Sequence, residues 1–396
     1  MSTEVNKMRD FCETTSSKRI YASEYVNAGV PFYRSKEVIE RQSGKREVST
    51  EIYISESRFE EIERKFGAPQ KGDVLLTSVG TLGVPYVVGE GERFYFKDGN
   101  LTWFRNFRGL DSRYLYYWLL SPLGKSELNK ATIGSSQSAY TINLLSNLDI
   151  NPPVIDEQHK VVELLSAYDD LIENNRHRIT LLEESARLLY CEWFVKLRFP
   201  GHELVKVVNG VPEGWAKKTL DELAHIIMGQ SPESKYYNTE KNGLPFHQGV
   251  SDFGDRFVSH STFTSQTTRI AEAGDILCSV RAPVGRLNVT SDKIAIGRGL
   301  SAMRSKMNLQ SLLFYQLKGL FLTEDMIGSG AIFASVCKKE LFGQKLLQPD
   351  KETAVQFNQI ATVIDSQIET LIMKNCALIE ARDSLLPKLM SGQLAA

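Results

Sequence analysis

Residues 161–193 read VVELLSAYDDLIENNRHRITLLEESARLLYCEW, and their periodicity decides the fold. Val161, Leu165, Tyr168, Ile172, Asn175, Ile179, Leu182, Ala186, Leu189 and Trp193 recur at alternating spacings of four and three. That is the seam of a coiled coil, sustained for more than four heptads. A second segment near the end of the chain repeats the pattern with Ala361, Ile364, Ile368, Leu371, Asn375, Leu378, Arg382, Leu385 and Leu389. Each seam carries one Asn near its middle. If the helices pack antiparallel, Asn175 and Asn375 fall opposite each other, and a buried Asn pair gives up stability to fix register. Some 35–40 helical residues at ~1.5 Å each make a rod of roughly 50–60 Å.

Outward from the helices, the chain is written twice. VPFYRSKEV (30–38) returns as LPFHQGVSD (244–252), and KGDVLLTSVGTLG (71–83) as AGDILCSVRAPVG (273–285). GNLTWFR (99–105) returns as RGLSAMR (298–304), and TIGSSQSAYTI (132–142) as MIGSGAIFASV (326–336). The order never changes, which chance echoes would not preserve. Each copy begins with short runs rich in Val, Ile, Phe, Tyr and Thr, punctuated by Gly and Pro, and ends in a long helix. The first copy starts abruptly, with no evident counterpart of PEGWAKKTLDEL (212–223). The expected class is α+β: two mixed α/β domains separated by two long helices packed as an antiparallel coiled coil, related by an internal pseudo-twofold. The expected segments are 1–153, 154–198, 199–350 and 351–396.

Bulk properties narrow the function. With 396 residues, 42% hydrophobic and 24% charged, the chain has room for two soluble domains. No apolar run reaches the length of a membrane span, and the polar start MSTEVNKMRDF has no secretory h-region, so a cytoplasmic protein is expected. The five scattered cysteines never form CxxC and read as buried free thiols; the six histidines form no HExxH, so no metal site is expected. The net charge of −1 excludes indiscriminate coating of nucleic acid, but residues 156–195 alone hold nine acids against four bases. The flanking segments are therefore slightly basic, which suits a selective binder.

Catalytic motifs fail one by one. NPPV (151–154) matches the tetrapeptide of amino-methyltransferases except at Val154, which has no aromatic face to stack on a flipped base. Its repeat counterpart LQPD (347–350) keeps only the last proline, so Pro153 and Pro349 read as stops ahead of the long helices. IGRGLSA (296–302) has dinucleotide-loop spacing but no βαβ unit behind it, and reads as a turn between strands. LGKSE (123–127) lacks the first glycine of a phosphate loop. No catalytic residue is expected.

Recognition chemistry remains. Hydroxyls, Gln and Arg cluster on glycine-flanked loops at matching places in both copies. The candidate contacts to DNA are Arg34, Lys36, Thr77, Ser78, Thr81, Ser135, Ser136 and Gln137 in the first copy, and Gln248, Ser279, Arg281, Arg298 and Ser329 in the second. Arg suits guanine, Gln suits adenine, and Ser or Thr suits phosphates or several bases.

With these features assembled, the chain resembles the specificity subunits of type I restriction–modification systems. The stretch 151–203, with Trp193-Phe194 and FPGH (199–202), is similar to the family's central conserved region; LIEARDSLLPKLMSGQL (378–394) resembles its distal one. GDILCSVRAPVGRLNV (274–289) looks like a strand pair of its recognition domains. The resemblance implies a non-catalytic subunit whose two target-recognition domains each read one half of a bipartite, asymmetric duplex site, with the helices setting the gap. It implies docking of methyltransferase (modification) subunits, with Trp193 and Phe194 as candidate partner contacts, and of a motor-nuclease (restriction) subunit. S-adenosylmethionine, and ATP with Mg for cleavage, would reside on those partners and not on this chain. A subunit of a methylation-only or otherwise organised restriction system, or a structural coiled-coil adaptor, are the competing readings.

Overall fold

A computed structural model describes residues 6–44, 48, 50–131, 139–326 and 335–396, with 322–326 described by backbone alone. The chain divides into two compact units, 1–176 with 373–396, and 177–372. These cut across the four expected segments, because the helices Ile155–Tyr190 and Lys351–Met390 each contribute to both units.

In the first unit an antiparallel sheet runs in the order Glu13–Thr15, Leu101–Arg105, Val74–Thr77, Pro85–Val87. Val74, Leu75, Leu76 and Thr77 are all buried, so this central strand reads as a continuous apolar run instead of an alternating one. A second sheet orders Tyr25–Val26, Tyr53–Ile54, Val30–Tyr33 and Tyr95–Phe96, its last pair parallel. Helix Ser112–Leu120 follows, with the Asp111 carboxylate accepting from the amides of Arg113 and Tyr114 at 2.8 and 3.0 Å.

The second unit repeats this topology. Its first sheet runs Ala224–Met228, Leu300–Ser305, Ile276–Ser279, Leu287–Val289. Its second sheet keeps the parallel pair, Leu244–His247 beside Ile294–Ile296, and adds the edge strand Ile270–Ala271. The repeat reaches further toward the chain start than the sequence suggests. Helix Met8–Phe11 is the counterpart of Leu220–Leu223. The Met8 amide donates to the Leu148 carbonyl at 3.0 Å, as that of Leu220 does to Gln344 at 2.8 Å. The segment TLDEL therefore has a counterpart in KMRDF, hidden because only the capping geometry is shared: Asp10 and Glu222 each accept from the amide three residues before, at 2.7 Å.

Every expected seam position is buried or half-buried. In the first unit the two helices run antiparallel: Asn175 Nδ2 donates to Asn375 Oδ1 at 2.9 Å, and Arg382 meets Asp169 at 2.6 Å. Leu165 shares a core with Leu386, Leu389 and Met390. In the second unit Ala186 and Ala361, both fully buried, share a core with Phe357. Each rod is bolted to its domain by a tyrosine. Tyr117 donates to Asp169 at 2.6 Å, and its counterpart Tyr315 to Asp365 at 2.9 Å.

The proline junctions are structural. Asn151 accepts from the exposed amide of Asn6 at 3.4 Å, and Val154 is 67% exposed. The Pro153 carbonyl accepts from buried Gln158 at 2.8 Å. Asp350, opposite Val154, caps its helix through the Thr353 amide at 3.0 Å and accepts from Trp215 Nε1 at 2.9 Å. The thiols depart in part from expectation: Cys12 and Cys278 are buried and Cys191 is half-buried, but Cys337, the N-cap of helix Lys338–Phe342, and Cys376, a position of helix Lys351–Met390 outside the seam, are exposed.

The Asn pair supplies a stability test. Asn175→Ala leaves a buried amide unpaired and is expected to cost about 1–3 kcal/mol. Asn175→Leu with Asn375→Leu removes both amides and should cost less than either single change, read from urea unfolding midpoints. A double variant that loses as much as the two single Asn→Leu changes summed would show that the pair is not a unit.

Candidate nucleic-acid interface

The two copies build the same turn from different residues. After the central strand, Thr77 Oγ1 accepts from the Val84 amide at 2.9 Å, and Ser279 Oγ accepts from the Arg286 amide at 2.9 Å. The Thr77 and Ser279 carbonyls accept from Gly83 and Gly285 at 2.9 and 3.0 Å. Those glycines sit at φ 76° and 79°, where a side chain would strain the turn. Beside the turn, the Ser78 amide donates to the Asn100 carbonyl at 2.8 Å, as Val280 does to Gly299 at 2.9 Å. Tyr140 then donates to the Ser78 carbonyl at 3.1 Å and Val336 to that of Val280 at 2.9 Å. A third loop closes the platform: Lys97 donates to the Tyr33 carbonyl at 2.9 Å, and Gly297 to that of His247 at 2.8 Å.

This geometry reassigns several expected contacts. Thr77, Ser78 and Ser279 are buried, and their hydroxyls are consumed inside the turn; Ser78 Oγ lies 2.7 Å from Thr102 Oγ1. They build the platform and do not face a ligand, because a short hydroxyl beside glycine is also what a tight turn needs. Arg34 is half-buried and paired with buried Glu37 at 2.9 Å. Lys36, Thr81, Gln248, Arg281 and Arg298 are exposed. Ser135, Ser136, Gln137 and Ser329 lie outside the described residues. Trp193 and Phe194, expected to meet a partner, are buried among Phe357, Phe199 and Trp215, with Phe194 4.9 Å from Phe357. Aromatic bulk at the end of an amphipathic helix closes the core of its own unit, so these two are not partner contacts.

Position by position, the platforms differ in charge. In the loop that carries Arg298 the first copy is one residue longer and has Asp98 and Gly99, and Asp98 is held by Arg19 at 2.7 Å. Arg281 stands where the first copy has Val79, which is 44% exposed. Two further arginines of the second unit are exposed next to these loops: the Arg269 carbonyl accepts from the Ile296 amide at 3.0 Å, and the Arg286 amide donates to Ser279 Oγ at 2.9 Å. Sequence reading singled out neither; 29 residues of chain separate Arg269 from Arg298, and no local pattern joins those two. Their signal was basic residues on loops flanked by Gly or Thr.

Behind this surface His247 is buried, its Nε2 3.0 Å from His260 Nδ1 and its Nδ1 3.5 Å from Asp252. Burial and the neighbouring His260 push its pKa down to about 4, only partly opposed by Asp252. Among the described residues no group of three or more His, Cys, Asp or Glu could hold a metal ion. No described helix is long and apolar enough to cross a membrane.

The family model for the type I restriction modification DNA specificity domain matches twice, over residues 2–184 and 212–379. The chain belongs to the type I restriction–modification specificity family. It is 26% identical to a putative type I restriction enzyme specificity subunit, MjaX, of Methanocaldococcus jannaschii, over 99% of this chain and 93% of that protein. To the MjaIX specificity subunit of the same organism it is 24% identical, over 99% and 93%. The crystal structure of an S subunit from M. genitalium shares the fold at a TM-score of 0.59 and 17% identity, covering 98% of this chain and 97% of that one. The two matched segments coincide with the two written copies, so the specificity domain is duplicated within this subunit.

Two outcomes check the platform. Thr77→Val and Ser279→Ala each orphan a turn amide and are expected to lower stability by about 1–3 kcal/mol, seen as a lower unfolding midpoint. For His247, the unfolded imidazole takes a proton near ~6.5, whereas the folded one resists until about 4. Its contribution is therefore complete above the unfolded pKa and lost as pH falls from there toward about 4. The drop in melting temperature between about pH 7 and about pH 5 should be smaller in His247→Gln than in the wild type, because that unfolded-state titration lies in this interval.

Proposed function

We propose that each recognition domain reads one half of a bipartite duplex DNA site, and that the helical pair sets the distance between the halves. The supporting observation is the duplicated turn platform: the same backbone hydrogen bonds in both copies, with different side chains exposed at matched positions. Conserved geometry with changed chemistry is what two readers of two different half-sites require. DNA rises about 3.4 Å per base pair, so helices of 36 and 40 residues can set a gap of a helical turn or more.

The chain supplies recognition, and methyltransferase subunits bring S-adenosylmethionine and the methyl transfer; a motor-nuclease subunit with ATP and Mg completes cleavage. The methyltransferase docks on the apolar flank of the helices. In the second unit Leu181 and Leu188 on the first helix, and Ile360 and Val363 on the second, lie outside the seam yet are 44–58% exposed. Apolar side chains left in water at helical spacing mark a surface that a protein covers.

Replacing residues 199–350 by the matching segment of another specificity subunit should alter one half of the methylated site and leave the other intact. Mapping of methylated adenines reads this; a change in both halves would falsify the modular reading. Affinity for duplex DNA should also fall linearly with salt on logarithmic axes, and a salt-independent affinity would leave a structural adaptor. Leu181→Glu with Val363→Glu should abolish co-purification of the methyltransferase while DNA selection persists.

A further inference from the structure

We infer that the second recognition domain reads a guanine in its half-site through Arg298 and Arg281, held on one glycine hub, and that Gln248 reads the neighbouring base. The inference rests on the DNA-reading function proposed above and names the residues and the base that carry it in one domain.

The hub is Gly299. Its amide donates to the Gln248 carbonyl at 3.1 Å, and its carbonyl accepts from the Val280 amide at 2.9 Å. Arg298 precedes this glycine, Arg281 follows Val280, and Gln248 is bonded directly to it, so three side chains leave the protein from points linked by two hydrogen bonds. The packing there leaves no room for a side chain. A Cβ at Gly299 would lie 2.3 Å from the Gln248 carbonyl oxygen, and one at Gly297 3.0 Å from the Phe246 ring. The amide of Arg298 is itself held by Ser231 Oγ at 3.2 Å.

All three side chains are exposed, and none has a hydrogen-bond or ion-pair partner among the described residues. The contrast with the first copy is direct: Arg34, at the position of Gln248, is spent on Glu37, and Asp98, in the loop that matches that of Arg298, is spent on Arg19. A free guanidinium on a mobile loop would serve a phosphate equally well. A fixed backbone sets where the side chain starts, and the planar fork matches the paired O6 and N7 acceptors of guanine. The side-chain amide of Gln248 beside it matches the N6 and N7 pair of adenine. The first domain has no free guanidinium at these positions, so the two half-sites differ in their guanine content there.

The test is selection from a randomised duplex library by the full chain, alone and with a methyltransferase subunit of its family. Wild type, Arg298→Ala, Arg298→Lys, Arg281→Ala and Gln248→Ala are compared after thermal melting shows each to be folded. The expected result is a G·C pair in one half-site whose preference falls about tenfold or more in both Arg298 variants, with the other half-site unchanged. Arg298→Lys should keep the wild-type salt slope, since its charge remains. Arginine variants that weaken all sequences alike would make these residues phosphate contacts and overturn the inference, as would a wild-type half-site without G·C. If the wild type selects no sequence under either condition, the DNA-reading function itself falls, which is a distinct result.

Discussion

The hydrogen bond between Asn175 and Asn375 is the constraint from which the helical pair takes its register. Both amides are more than nine-tenths buried, at 9% and 8% exposure. A shift by one heptad would bury each against an aliphatic side chain with no partner, which costs more than the pair ever contributes in stability. With that register set, Asp169 meets Arg382, and Leu165 falls into the core with Leu386 and Leu389. Burial opposes the charge of Arg382, but its bonds to Asp169 and Asp383 more than offset this and raise its pKa. The ion pair is thus a consequence of register and tightens it in turn. Tyr117 on Asp169 then hands the geometry of the rod to the domain that packs on it.

The duplicated platform shows how one fold presents two different surfaces. Turn closure uses an inward hydroxyl, Thr77 or Ser279, a glycine at positive φ, and backbone bonds to a neighbouring loop. None of these groups is available to a ligand, so the exposed positions can change without cost to the turn. On the reading proposed above, a new target needs only changes such as Val79 against Arg281. The ion pairs of the first copy and the free arginines of the second are two settings of the same device.

Much of this was legible in the one-dimensional pattern. The seams were readable because a coiled coil is a local periodicity: alternate steps of three and four keep one face inward whatever the partner does. The repeats were readable because strand and turn signals kept their order. The hydroxyl clusters were read as contacts, whereas Thr77, Ser78 and Ser279 are spent inside the turns. Glycine-flanked Ser and Thr mark tight turns and ligand loops alike, and only burial tells them apart. Trp193 and Phe194 failed for a related reason, since large aromatics serve cores and interfaces equally well.

The sequence by itself determined the architecture: two copies, two long helices, an Asn in each seam, and proline stops where domain passes to rod. These are properties of neighbours along the chain, and local sterics and periodicity suffice to set them. Tertiary structure alone decided which polar groups are spent and which are free. That Gly299 joins Gln248 to Val280, that Arg19 neutralises Asp98, and that Trp193 lies in a core depend on segments tens to hundreds of residues apart. A charge or a hydroxyl acquires its function from what surrounds it in space, and no window of sequence contains that surrounding.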